Sequence, residues 1–142
     1  MSVQAVLLPL FVEVILTFVL MLRMGLLRQR NYSSGAVKPQ DIALREPKWP
    51  ALTAQTANSF SNQFELPVLF YVLTLLEWVT RQAGIAFIVL AWIFVACRLL
   101  QAYVHVTSNN VRLRGAFYIV GAAALMLMWA IYIVQILSGG TL

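Results

Sequence analysis

Charge is scarce in this 142-residue sequence. Only 11% of its residues are charged and 61% are hydrophobic, whereas an ordinary soluble domain is nearer half apolar and a quarter charged. So little charge cannot coat a globule in water, and the solvent it implies is a lipid bilayer. The single cysteine, Cys97, excludes an intrachain disulfide; set within an apolar run, it reads as inert packing. With one histidine and five acidic residues, no cluster has metal-ligand spacing, and no metal is expected. Basic residues outnumber acidic ones by ten to five, yet they form no run, so nucleic acid is not an expected partner. The first residues lack a basic n-region and a small-residue cleavage site, and the apolar stretch continues to Leu22. That is longer than a secretory signal, and a retained spanning helix is expected. No internal repeat divides the chain, which is expected to form one membrane domain over residues 1–142.

What the sequence does contain is apolar stretches of membrane length. Four helices are expected over residues 3–28, 51–80, 84–106 and 111–137, with a polar loop over 29–50. Pro9 lies in the early turns of the first span, and Glu13 lies mid-span, where an ionised carboxylate is expensive. Glu13 should therefore face the bundle interior, paired or protonated. Gly35, Pro39, Pro47 and Pro50 punctuate the loop, which offers a short helical turn over 41–45 and an interfacial anchor in Trp49. Pro67 suggests a kink in the second span. Glu77 and Arg81, at i,i+4, suggest an interfacial ion pair. Small residues at 121–124 would allow close helix approach in the fourth span.

Four crossings put the 29–50 loop and the turn after the third span on one side. Arg23, Arg28, Arg30, Lys38, Arg45, Lys48, Arg98, Arg112 and Arg114 gather at that end, and only Arg81 at the other. Positive charge marks the cytoplasmic side, so the basic loops are expected there and both termini outside. This asymmetry accounts for the net charge of +5 without any ligand.

The same end collects polar faces. Asn58, Asn62 and Glu65 (i, i+4, i+7) share one side of the second span; Arg98, Gln101 and His105 (i, i+3, i+7) share one side of the third. Arg114 and Tyr118 (i, i+4) share one side of the fourth. With Arg23 or Arg28 they are expected at a common level, a cluster costly at hydrocarbon depth unless paired or wet. One reading is mutual satisfaction, with Glu65 neutralising Arg98, Asn62 capping a carbonyl and the other arginines snorkelling to headgroups. The other is a ligand site. Arginine exceeds carboxylate at this level, so the missing partner would be an anion.

Two motifs in these spans resemble the MAPEG family, the membrane-associated proteins in eicosanoid and glutathione metabolism. Asn62-Gln-Phe-Glu65 followed by Pro67 is similar to the family's Asn-x-x-Glu in its second helix. Arg98, with Arg114 and then Tyr118, resembles the junction of helices 3 and 4 in glutathione-using prostaglandin synthase members. The resemblance implies an all-α, four-helix membrane bundle assembled as a homotrimer, with glutathione between subunits at the cytoplasmic end. By motif position Asn62, Glu65, Arg114 and Tyr118 would contact glutathione. Arg98 would support that shell, pairing with Glu65, and Gln101 and His105 would complete it. The chain departs from the pattern at Phe60 and Ser61, where basic residues precede the asparagine, and at Gln101, His105 and Gly115, which replace histidine, tyrosine and serine. His105 with Asn109 fits a bacterial-type variant, so a bacterial inner membrane is expected rather than the endoplasmic reticulum.

The function so implied is a glutathione-dependent transferase or peroxidase acting on a lipophilic substrate delivered by the membrane lipid. Arg114 would stabilise the thiolate, and Tyr118 or a water would donate a hydrogen bond to it. The alternative is a non-catalytic lipid-binding or scaffold protein of the same fold. A third class, a proton-coupled efflux carrier, would use Glu13.

Overall fold

A computed structural model describes residues 2–43 and 48–139 of the chain. Helix α1, Val3–Ser33, starts where the Ser2 hydroxyl accepts a hydrogen bond from the Ala5 amide at 3.3 Å. It is uninterrupted at Pro9 and continues five residues beyond the expected end at 28. The returning chain packs against this extension. Asn31 donates to the Thr53 hydroxyl at 2.6 Å, and the Arg28 guanidinium lies 5.4 Å from the Trp49 ring centroid. Gly35, in the left-handed region with φ 71°, then turns the chain.

Helix α2, Pro39–Ile42, is a single turn whose Asp41 carboxylate accepts from the Lys38 amide at 3.1 Å. The expected continuation to Arg45 lies outside the described residues.

The helix expected without interruption over 51–80 is divided. Helix α3, Ala51–Ser61, gives way to a 3-10 turn, Asn62–Phe64, and helix α4, Leu66–Val79, resumes beyond Glu65. Pro67 is the cause. It has no N–H for the Gln63 carbonyl, and its ring clashes with that carbonyl in a continuous helix, yet it suits the first turn of a new one. Glu65 sits between the two pieces with a non-helical backbone, φ −101° and ψ −108°. Helix α4 ends before Arg81, whose backbone is left-handed at φ 57°. The expected Glu77–Arg81 pair does not form, because Arg81 is no longer on the helix; Glu77 is buried instead.

Helices α5, Ile85–Val106, and α6, Val111–Leu137, form an antiparallel hairpin and the most extensively packed helix pair. A Cβ added at Gly121 would stand 3.3 Å from the Cys97 Cβ, so a bare glycine at this position sets how near the helices come. Among the described residues, α1, α5 and α6 are the three helices long and apolar enough to cross a membrane. Phe70 and Leu73 of α4, Phe94 and Val95 of α5 and Leu125 and Met128 of α6 form the central core. The Phe70 and Phe94 rings pack with centroids 4.8 Å apart.

The distribution of polarity is that of a lipid-solvated bundle. Glu13, Gln63, Glu77, Arg98, Gln101 and His105 are buried, while Phe18, Leu26, Val79, Ile85, Ile119 and Val134 are exposed. In water such a surface would be a large exposed apolar patch.

Candidate functional site

Helix α5 turns Arg98, Gln101 and His105 into the bundle, as their spacing requires, and all three are buried. One terminal nitrogen of Arg98 donates to Gln101 Oε1 at 2.7 Å; the other donates to the backbone carbonyl of Asn62 at 2.8 Å. Its Nε lies 3.5 Å from Glu13 Oε1, with both side chains almost wholly buried. At that distance the contact is an ion pair rather than a hydrogen bond, and neither carboxylate oxygen of Glu13 has a hydrogen-bond partner.

The expected Arg98–Glu65 pair is thus replaced by Arg98–Glu13. Burial decides the partner: Arg98 reaches the Asn62 backbone beside Glu65, but the Glu65 side chain is exposed, whereas Glu13 is buried. Helices α1 and α5 both run toward the basic end. At 1.5 Å per residue Glu13 lies ~15 Å below the start of α1, and Arg98 ~20 Å below the start of α5. Glu13 and Arg98 are therefore within about 5 Å of one level. Arg23 keeps to the level of the turn, where it donates to the Val106 carbonyl at 3.4 Å.

The turn between α5 and α6 is built by two asparagines. Asn109 adopts a left-handed backbone, φ 49°, which asparagine tolerates better than most residues, and its amide donates to the Val104 carbonyl at 2.7 Å. The Asn110 side chain caps α6 by accepting from the amides of Arg112 and Leu113. This geometry delivers the Asn109 carboxamide oxygen to Arg114, which donates to it at 2.7 Å. Arg114 is half-buried and forms no ion pair among the described residues.

These elements enclose an outward-opening cavity of about 390 Å³ walled by Asn58, Ser61, Asn62, Glu65, His105 and Arg114. The structure brings four of the sequence-selected residues to one wall: Asn62, Glu65, His105 and Arg114. Arg98 and Gln101 stand behind it, bonded to each other. Tyr118 is one turn along α6 from Arg114, partly exposed and off the wall.

Sequence reasoning did not select Ser61 as a site residue, and it placed Asn58 on the face of Asn62 and Glu65 without naming it a ligand contact; both belong to the wall. The departures noted above also find a place. Phe60 packs against Leu20, Ala102 and Val106 and meets Phe64 edge to face at 5.1 Å. Gln101 is the acceptor for Arg98. Gly115 has open space where a Cβ would stand.

The electrostatics differ from an arginine-rich pocket. With Arg98 offset by Glu13, the formal charges of the cavity wall are one cation, Arg114, and one anion, Glu65. His105 adds a buried imidazole whose Nδ1 has no hydrogen-bond partner. Such a wall suits a ligand carrying both signs of charge better than a simple anion.

Comparison with curated proteins and with solved structures gives no match. The model of the MAPEG family matches residues 6–134, from the early turns of α1 to the last turn but one of α6. A match of that extent takes in every helix just described, and the chain is an integral membrane protein that belongs to the MAPEG family.

Proposed function

We propose that the protein is a glutathione-dependent membrane transferase or peroxidase acting on lipophilic substrates. The observation that carries this reading is a change of chemistry across one residue step, from Glu65 to Leu66. On one side lies the polar cavity with Arg114 and Glu65. On the other, between α4 and α6, lies an apolar groove of about 590 Å³ walled by Leu66, Leu69, Ala122, Met126 and Trp129. A hydrophilic thiol and a lipid-soluble electrophile need such neighbouring compartments. Family membership makes glutathione the thiol to test first.

Glutathione carries two carboxylates, an ammonium and a thiol. Glu65 is matched to the ammonium, Asn62 and His105 offer neutral hydrogen bonds, and Arg114 stabilises the thiolate. Tyr118 or a water donates a hydrogen bond to the sulfur. A cation held in place by Asn109, in a cavity that neighbouring subunits would close off from bulk water, stabilises developing negative charge more than it could in bulk. Arg98 and Gln101 act from behind the wall.

The rest of the reading follows from the membrane. The pieces α3 and α4 act together as a fourth crossing, since the outward side of α4 carries Val68, Leu69, Val72 and Leu75. Broken backbone is tolerated at membrane depth when it is covered by protein or lines a polar cavity. An open polar cavity cannot face lipid, so a homotrimer that closes it between subunits is part of the proposal. The basic end faces the cytoplasm, in a bacterial inner membrane.

A second reading, a non-catalytic lipid-binding or scaffold protein, is favoured by one observation: Tyr118 stands off the cavity wall. Thiol conjugation of a lipophilic electrophile by the purified protein separates the two. The enzyme reading predicts glutathione-dependent turnover, and the scaffold reading predicts none.

A further inference from the structure

The Glu13–Arg98 pair lies outside the cavity, yet it ends on the cavity's backbone. We infer that Glu13 is a positioning residue: through Arg98 it fixes the helix break that carries Asn62 and Glu65. The inference rests on the proposed ligand site being where those two residues meet Arg114.

The chain of contacts is short. Glu13 is fully buried, and the guanidinium of Arg98 is its ion-pair partner. A buried carboxylate without hydrogen bonds stays ionised only beside a cation, so Glu13 and Arg98 hold each other. Arg98 has a second and a third commitment, to Gln101 of its own helix and to the Asn62 carbonyl. Carbonyls at a helix break lose their usual i+4 donors, and Arg98 supplies one at 2.8 Å. Asn62 begins the 3-10 turn, and Glu65 follows it with a backbone belonging to neither helix. The direction of the Glu65 side chain is thus set by the conformation of the break, and that conformation is clamped by a guanidinium. Removing the charge on α1 leaves Arg98 an unpaired buried cation, free to turn toward the open cavity and release Asn62.

The test uses Glu13→Gln, close to isosteric but neutral, and Glu13→Asp, smaller but charged. If Glu13 only fills space, Gln should be the milder change. If its charge positions Arg98, Asp should be the milder one. Amide hydrogen exchange of the purified protein in detergent, without glutathione, reads the break directly. Glu13→Gln should speed exchange over residues 62–68 by roughly tenfold, with α6 unchanged, and Glu13→Asp should lie nearer wild type. Titration with glutathione should show affinity weakened by about tenfold in Glu13→Gln and partly restored in Glu13→Asp.

Unchanged exchange at 62–68 in Glu13→Gln overturns the inference, whatever glutathione does. So does faster exchange with unchanged glutathione affinity, because the clamp would then not position the site. If wild type binds no glutathione, the proposed function falls and the clamp is judged on the exchange data. There, acceleration confined to 62–68 supports it and its absence overturns it. Should Glu13→Gln not fold, Arg98→Lys replaces it. A single ammonium opposite Glu13 cannot also reach Gln101 and the Asn62 carbonyl, so the same pattern is expected, and exchange at 62–68 equal to wild type overturns the inference.

Discussion

Truncating Glu13 should destabilise the protein far more than truncating Glu65, although both are carboxylates close to the helix break. The Arg98–Glu13 separation of 3.5 Å corresponds to about 5 kcal/mol of gross attraction at an effective dielectric of about 20. Glu13→Ala would leave Arg98, only 2% exposed, without its counter-charge. Breaking a buried pair in this way costs about 3–5 kcal/mol. The lower end, about 3 kcal/mol, is expected, because the contact is too long to be a hydrogen bond and Arg98 keeps its bond to Gln101 of its own helix. Glu65 is exposed and forms no ion pair among the described residues, so Glu65→Ala should change stability by no more than about 0.5 kcal/mol. Thermal melting of both variants in the same mild detergent, at equal protein concentration, is the assay. Glu65→Ala should melt with wild type and Glu13→Ala clearly below it. Equal melting of the two variants, or a larger loss for Glu65→Ala, would refute the assignment of Arg98 to Glu13.

Two further expectations concern the α5–α6 hairpin. Arg114→Lys should keep the melting temperature but weaken glutathione binding by about ten- to a hundredfold, since an ammonium lacks the planar fork that bonds Asn109 and a ligand together; equal titration curves would show that Arg114 is no anion clamp. Gly121→Leu should push α5 and α6 apart, because even a Cβ meets Cys97 at 3.3 Å, and overpacking of this kind costs about 1–3 kcal/mol; an unchanged melting curve would contradict the close approach.

Hydropathy was enough to find the membrane-length helices, because lipid demands long apolar runs and the sequence around 3–28, 84–106 and 111–137 supplies them. Helical spacing within each span and a common level across spans grouped Asn62, Glu65, His105 and Arg114, which line one cavity. Two things were harder to read. A proline announces a disturbance, but whether a helix bends or restarts depends on what satisfies the freed carbonyls. Here Arg98 from another helix supplies a donor to Asn62. The partner of Arg98 differs from the expected one because the helix break turns the Glu65 side chain outward, leaving the buried Glu13 as its counter-charge. Counting from the start of each apolar run puts Glu13 within a few ångström of Arg98 in depth. That signal was present in the sequence. Which face of α1 meets α5 was not, since it depends on packing that no spacing encodes.

Glutathione binding by the intact assembly is tested by calorimetric titration of the wild-type protein in mild detergent, with native mass spectrometry of the same sample. Saturable binding to an intact homotrimer is expected, with the affinity of Arg114→Lys lower by about ten- to a hundredfold. A folded trimer that takes up no glutathione would contradict the proposed function, and the scaffold reading would then stand in its place.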